Sequence, residues 1–123
     1  MGEPRTVDDP EVVFAALETF AAPPGVTAVE LESDEVTALC PLNGQADWYR
    51  VRIGYVPRER CLETRSLKLY LQSFRNEGIF AEAFAARIAR DLSGALDCPV
   101  DVTVVQKARG GITIEATARC DPT

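Results

Sequence analysis

Residues 100–117 read VDVTVVQKARGGITIEAT, the clearest structural pattern in the chain. Val100 and Val102 begin an alternation of apolar and polar residues, which resumes after Gly110 and Gly111. Alternating runs on either side of two glycines are typical of a β-hairpin, because glycine accepts the positive φ angles of a tight turn. The stretch therefore predicts two antiparallel strands, each with one buried face.

The sequence before this hairpin supplies two more strands and two longer helices. Alternation predicts strands over residues 27–33 and 48–56, and Pro57 ends the second of them. Apolar residues at helical spacing predict helices over residues 66–76 and 80–92. We therefore expect an α+β fold in which an antiparallel four-stranded sheet carries two helices on one face.

A shorter helix is predicted near the start of the chain, over about residues 9–21. Asp9 is a good N-cap, Pro10 suits the first helical position, and Phe20 completes an apolar stripe at helical spacing. The chain is long enough for one core only, so we expect residues 1–123 to form a single domain. The small open sheet would have two exposed edge strands, and copies of the chain closing into a ring would cover them.

Composition excludes several classes of protein. The chain has no histidine, which excludes Ser-His-Asp and Cys-His mechanisms and histidine-ligated metal sites, and no metal is expected. No apolar stretch approaches the roughly 20 residues of a membrane helix, and the N-terminus lacks a signal-peptide pattern. We therefore expect a cytoplasmic protein without a membrane partner. The formal net charge of −6 argues against general nucleic-acid binding.

The cysteines are expected to be free thiols. They are Cys40, Cys61, Cys98 and Cys120. No two of them form a CxxC pair, so neither a zinc ribbon nor a thioredoxin-type motif is indicated. Most are expected to fill space in the core, as are the aromatic side chains of Trp48, Phe80 and Phe84.

Charge is distributed unevenly along the chain. Residues 1–47 contain ten acidic side chains and one basic side chain, whereas residues 50–75 contain seven basic and two acidic ones. Two interpretations of the basic segment stay open. It is either a solvated face that offsets the acidic start, or a local anion site, such as one for a cofactor phosphate.

Cys40 and Asp47 are candidate reactive residues. Asp47 starts on the apolar face of its predicted strand, so it either reaches solvent at the strand end or lines a pocket. Cys40 lies across a turn that contains Pro41 and Gly44, which allows the thiol and the carboxylate to meet. A free thiol is only about 3% thiolate at neutral pH, so a nucleophilic cysteine needs a base or a positive field. In a chain without histidine, Asp47 is a candidate proton carrier.

Several motifs occur in a fixed order that resembles a known family. They are Cys40-Pro41, Gly44-Gln45-Ala46-Asp47, the run from Glu63 to Tyr70, Ser73-Phe74-Arg75-Asn76, Glu82, and Arg109-Gly110-Gly111-Ile112. Spread over about residues 36–114, they resemble the short, unimodular NADPH-dependent 7-cyano-7-deazaguanine reductases of queuosine biosynthesis, the QueF family. The resemblance implies the tunnelling fold (T-fold). It also implies subunits assembled in rings, often two stacked pentamers, with active sites between subunits.

The resemblance further implies a mechanism. Cys40 would attack the nitrile carbon of the small deazapurine substrate and form a thioimide, which two hydrides from NADPH would reduce to the aminomethyl group. Asp47 would carry protons to the nitrogen, and Glu82 would anchor the deazaguanine ring. No direct contact with nucleic acid is implied.

Further roles follow from the same resemblance. Glu63 and Ser66 would contribute to substrate binding, whereas Arg65, Lys68 and Arg109 would bind NADPH. The cofactor phosphates would then account for the basic segment.

The chain departs from the family pattern at the reductive step. The usual His-Glu is Ala81-Glu82 here, and the usual Asn-His-Gly is Asn76-Glu77-Gly78. General acid–base assistance is typically worth about 10²–10⁴-fold, so its loss slows a reaction without abolishing it. Two alternatives therefore stay open. One is a QueF-like amidinotransferase that makes the archaeosine-type amidine in tRNA, and the other is a non-catalytic deazapurine-binding oligomer.

Overall fold

The computed structural model describes residues 9–122. Its elements are α1 (Pro10–Ala15), β1 (Thr19–Ala21), β2 (Val29–Leu39), β3 (Ala46–Tyr55), β4 (Arg60–Leu62), α2 (Thr64–Gln72), a 3-10 turn (Ser73–Asn76), α3 (Ala81–Leu96), β5 (Val100–Arg109) and β6 (Ile112–Cys120). The main sheet is antiparallel with strand order β2-β3-β5-β6, and β1 pairs with β4 in a small second sheet. The α+β architecture with an antiparallel four-stranded sheet is confirmed.

The hydrophobic core lies between one face of the main sheet and the helices. In β3, Tyr49, Val51 and Ile53 are buried, and the side chains between them are exposed. The buried residues of α3 recur at helical spacing: Ala81, Phe84, Ala85, Ile88, Ala89, Leu92, Ser93 and Leu96. The buried side chains of the strands and those of α3 therefore pack together in one apolar layer. The opposite face of the sheet is polar.

The β5–β6 hairpin forms as predicted. Gly110 and Gly111 have φ angles of 60° and 81°, the positive values that a tight two-residue turn requires. The pairing is irregular just before the turn, because Gln106 pairs with Ile114 but Arg109 pairs with Ile112. Three steps along β5 thus correspond to two along β6, which is a β-bulge of one extra residue.

The N-terminal helix is shorter than predicted. Asp9 does cap it, since its Oδ1 accepts a hydrogen bond from the N–H of Glu11 at 3.0 Å, but the helix ends at Ala15. Residues 19–21 form β1 instead, with Phe20 opposite Cys61 of β4. The prediction of a helix was therefore wrong beyond Ala15, because backbone pairing with a distant strand outweighed the helical spacing of the apolar residues.

Two other boundaries differ from the predictions. β2 extends to Leu39 rather than ending at Ser33, since its pairing with β3 shifts between Ser33 and Val36 and this interrupts the alternation. The predicted helix over residues 66–76 begins earlier and closes as a 3-10 turn. Within residues 9–122, no helix has the length and apolarity needed to cross a membrane.

Candidate active site

A cleft of about 550 Å³ opens at one end of the main sheet. The start of β3, the end of β5 and the first turn of α3 meet there. The lining residues are Cys40, Gln45, Asp47, Phe80, Ala81, Glu82, Gln106, Arg109, Gly110 and Ile114. The fold thus brings a thiol, two carboxylates and a guanidinium into one cleft, four of the side chains singled out from the sequence.

Backbone hydrogen bonds within the loop hold the two ends of the loop that carries Cys40 together. The N–H of Cys40 donates to the carbonyl of Gln45 at 2.8 Å, and the N–H of Gly44 donates back to the carbonyl of Cys40 at 2.9 Å. Backbone N–H groups of Leu42 and Asn43, and then the Arg109 side chain, lower the pKa of the Cys40 thiol. The partly exposed sulfur is therefore more often a thiolate at neutral pH than an ordinary cysteine is.

Asp47 occupies the inner face of β3 and is only 4% exposed. Arg109 donates from Nη1 to Oδ1 of Asp47 and from Nη2 to Oε1 of Gln45. Of the two placements that the sequence left open, the pocket is correct, and an ion pair compensates the burial of the carboxylate. The hydrogen bond to Asp47 raises the pKa of Arg109 further above its already high value.

Glu82 lies in the first turn of α3, beside an exposed aromatic ring. Phe80 is the N-cap residue of α3, and its side chain is 52% exposed, so the prediction that it packs in the core was wrong. Within residues 9–122, the carboxylate of Glu82 makes no hydrogen bond and no ion pair. The cleft therefore presents one free carboxylate and one free ring face to a ligand.

Gln106 belongs to the cleft although the sequence analysis did not single it out. The hydroxyl of the buried Tyr49 donates to its Oε1 at 2.9 Å, which orients the amide and leaves its N–H donors available to a ligand. Burial and then the carboxylates of Asp47 and Glu82 raise the pKa of Tyr49 to about 12. The sequence did contain a clue to Gln106. Every second residue at the start of β5 is a buried valine, and Gln106 is a polar residue at the next position of that pattern.

Comparison with known proteins places the chain in a family. Residues 46–122 match a family model described as "QueF-like protein". The chain is 47% identical over 105 residues to the "NADPH-dependent 7-cyano-7-deazaguanine reductase" of Frankia casuarinae, which covers 84% of this chain and 83% of that protein. The protein of the same name from Anaeromyxobacter sp. (strain K) is 50% identical over 107 residues, with coverage of 84% and 87%.

The chain belongs to the QueF family. A solved structure, "Crystal structure of the archaeosine synthase QueF-Like in the apo form", superimposes with a TM-score of 0.73 and 24% identity over 83% of this chain and 98% of that one. At this identity the likeness to another QueF-type protein extends to the fold alone.

The residues that carry the QueF resemblance fall into two groups in one protomer. Cys40, Asp47, Glu82 and Arg109 line the cleft, whereas the first turns of α2 carry the other four. These are Glu63, Arg65, Ser66 and Lys68. None of the four lines the cleft of the same chain. The sequence order of the motifs could not reveal this separation.

Two residues of the α2 motif of this QueF protein have a structural role. The carboxylate of Glu63 caps α2, accepting from the N–H of Arg65 at 2.8 Å and from that of Ser66 at 2.7 Å. The hydrogen bonds with Ser66 are the main cause that lowers the pKa of Glu63. The Ser66 hydroxyl accepts from the N–H of Glu18 at 2.9 Å, which ties α2 to the segment before β1.

Proposed function

We propose that this protein is a nitrile reductase that converts 7-cyano-7-deazaguanine into 7-aminomethyl-7-deazaguanine with NADPH as the hydride donor. The names and the high identity of its relatives support this activity. The observation that carries the proposal is the meeting of the Cys40 thiol with the carboxylates of Asp47 and Glu82 in one cleft.

The first step is addition of the thiol to the nitrile. The thiolate of Cys40 attacks the nitrile carbon, one C–N π bond breaks, and a C–S bond forms. The thiol proton reaches the nitrogen through the carboxylate of Asp47, so the product is a neutral thioimide on the sulfur. NADPH, when bound, would supply one hydride in each of two successive reduction steps of a single turnover, and two protons are taken up over the whole reaction. The sulfur of Cys40 leaves as a thiolate before the second reduction.

The substrate ring is held by the other side of the cleft. A guanine-like edge presents adjacent N–H donors, which the unpaired carboxylate of Glu82 can accept in a bidentate pair. The exposed face of Phe80 offers a stacking surface for the planar ring. The N–H donors of Gln106 suit a ring carbonyl or nitrogen. These groups orient the nitrile toward Cys40 and exclude water from the sulfur.

The residues of α2 fit the phosphates of a dinucleotide. Arg65 and Lys68 are exposed and lie three residues apart, so their side chains share one face of the helix. Lys68 also lines a groove of about 310 Å³ between α2 and β2. We assign these two cations to NADPH binding, and the test is whether their removal raises KM for NADPH while KM for the nitrile stays constant.

The separation of the two groups supports a ring. β2 and β6 are the edge strands of the main sheet. Within residues 9–122, no strand pairs with the outer edge of either, although Leu39 at the end of β2 bonds with the backbone of Glu77 and Ile79. The groove beside α2 lies along β2, whereas Ile114 of β6 lines the cleft. Pairing of β2 with β6 of the next copy would bring the α2 motif of one protomer to the cleft of its neighbour. We therefore propose a T-fold ring with sites between protomers.

The chemistry is tested by adding 7-cyano-7-deazaguanine without NADPH. The expected result is a covalent adduct on Cys40, seen as a mass increase and absent from Cys40→Ala. NADPH should then be consumed with formation of the amine. An adduct that gives product only with ammonium and modified tRNA would identify the amidinotransferase, and binding without an adduct would identify the deazapurine-binding oligomer. The ring is tested by light scattering, where a species of 13.4 kDa would contradict it.

A further inference from the structure

Arg109 reaches the cleft because of the bulge in β5. In a regular hairpin, Ala108 would lie opposite Ile112, and Arg109 would point to the other face of the sheet. The extra residue between Gln106 and Arg109 reverses this order, so that Arg109 takes the position opposite Ile112. Bulges characteristically re-aim a side chain next to a functional site. The guanidinium consequently lies on the same side of the sheet as Asp47 and Gln106.

The guanidinium connects the two halves of the reactive site. One amino group binds the buried carboxylate of Asp47, and the other binds the side-chain oxygen of Gln45. Gln45 in turn accepts the backbone N–H of Cys40, so Arg109 is tied to the loop that carries the thiol. A single planar cation therefore holds the proposed nucleophile and the proposed proton carrier in a fixed relation.

The charge of Arg109 acts on both ionisable groups. Burial of the Asp47 carboxylate costs free energy, and the ion pair with Arg109 offsets that cost. The same positive charge favours the thiolate of Cys40, in addition to the backbone N–H groups of its loop. The chain has no histidine to take either role. Arg109 thus supplies the positive field that an imidazolium supplies in other cysteine enzymes.

We propose that Arg109 is a positioning residue, whose two hydrogen bonds, one to Asp47 and one to Gln45, hold the carboxylate and the Cys40 loop in place before any substrate binds. Its catalytic consequence rests on the proposed nitrile reduction, but its effect on the thiol does not. This role differs from the cofactor contact that the resemblance implies, and the two make different predictions for KM and kcat.

The test measures the alkylation of Cys40 by iodoacetamide as a function of pH, with the modified peptide quantified by mass spectrometry and no substrate present. In Arg109→Met we expect the midpoint to rise, while the backbone N–H groups of Leu42 and Asn43, which lower the thiol pKa more, keep it below the ordinary value of about 8.5. Alkylation at neutral pH should slow by about three- to tenfold, in proportion to the thiolate fraction. Arg109→Lys keeps the charge, so it should retain much of the low midpoint. The matched control is Arg119→Met, which removes an arginine paired with Asp101 at 3.0 Å on the same hairpin and should leave the midpoint unchanged.

Turnover then separates positioning from cofactor binding. Arg109→Lys keeps the charge but loses the planar guanidinium that bonds two partners at once. Its kcat should therefore fall, while its KM for NADPH stays within about twofold of the parent value. An unchanged alkylation midpoint in folded Arg109→Met would overturn the proposal. Should Arg109→Met not fold, a raised KM for NADPH with unchanged kcat in Arg109→Lys would overturn it equally. A chain that fails to reduce the nitrile but shows the midpoint shift would contradict the proposed function and leave the role of Arg109 intact.

Discussion

Phe80 and Phe84 are joined by one helical hydrogen bond, from the N–H of Phe84 to the carbonyl of Phe80 at 2.9 Å, yet their side chains have opposite environments. Phe80 is 52% exposed in the cleft, and Phe84 is fully buried. The ring of Phe84 packs edge-on against Tyr49, with centroids 5.1 Å apart, and lies 4.8 Å from the ring of Phe74. The first turn of α3 therefore serves the cleft and the core through two identical side chains.

This difference predicts opposite effects for two alanine substitutions. Phe84→Ala should lower the free energy of unfolding by about 3–5 kcal/mol, because it leaves a cavity among buried rings. Phe80→Ala should change it little but weaken binding of the deazapurine, measured by calorimetry in a Cys40→Ala background that cannot form the adduct. Urea denaturation measures the stability. Equal stability losses in the two variants would contradict the placement of Phe80 in the cleft and of Phe84 in the core.

Glu82→Gln is expected to weaken nitrile binding. A neutral amide cannot accept two N–H groups as a carboxylate does, and loss of a charge-assisted contact of about 1.5–3 kcal/mol corresponds to roughly a 10- to 150-fold higher KM. The control is Glu115→Gln, whose carboxylate pairs with Arg52 at 3.2 Å away from the cleft. A similar KM in both variants would remove Glu82 from the binding site.

Tyr49 predicts a loss of stability at alkaline pH. Its folded pKa of about 12 lies above the unfolded value of about 10, so the folded state holds the phenolic proton more tightly. The corresponding stabilisation is complete below about pH 10 and disappears as the pH rises to about 12. Tyr49→Phe should lose about 1 kcal/mol at neutral pH, for the hydrogen bond to Gln106, and should show a shallower alkaline decline. Urea denaturation at several pH values checks both effects.

Glu63 predicts the opposite pH dependence. Its pKa is lowered in the folded state, so the cap of α2 stabilises the fold above the unfolded pKa of about 4.3 and is lost as the pH falls further. Glu63→Ala should therefore be less stable than the parent at neutral pH, and the difference should shrink in acid. Glu63→Gln retains an acceptor oxygen, so its stability at neutral pH should lie between that of the parent and that of Glu63→Ala. A difference that grows in acid would contradict the cap.

Ala81→His introduces the histidine that the family resemblance implies beside Glu82. We expect a rate increase within the range of about 10²–10⁴-fold that is typical of general acid–base assistance. Ala81 is only 1% exposed, so the imidazole must displace its neighbours, and the free energy of unfolding should fall by about 1–3 kcal/mol. Ala83→His, at an exposed position two residues later, is the control for the added ring. An unchanged or lower rate in Ala81→His would show that the absence of a histidine at this position does not limit reduction.

Most of the fold follows from patterns that are local in the sequence. The alternation around Gly110 and the helical spacing of α3 each depend on a few neighbouring residues, and both predictions were confirmed. The pairing of β1 with β4 could not be predicted, because strands of three residues carry no periodicity and a distant partner selects them. The exposure of Trp48 was also missed. Its side chain is 53% exposed, since it takes the polar face of β3 between Asp47 and Tyr49.

The site was predictable to the same extent. The parity of Asp47 with the buried residues of β3 marked it as unusual but left two placements open, solvent at the strand end or a pocket. Its partner was not predictable, because the bulge before Arg109 shifts that residue by one position and no residue type marks the shift. The division of the motifs between the cleft and α2 depends on chain topology, which spacing along the sequence does not encode.

The acidity of Cys40 has a practical consequence for handling the protein. Thiolates are oxidised by peroxide far faster than thiols. Cys61 and Cys98 are buried, whereas Cys40 and Cys120 are partly exposed, so damage in air should begin at these two sulfurs, and it affects the cleft through Cys40. Preparations kept without a reductant should then lose activity while their circular dichroism spectrum stays constant. Early sulfenic acid at Cys40 should be reversible with dithiothreitol, whereas prolonged exposure should leave a permanently inactive fraction.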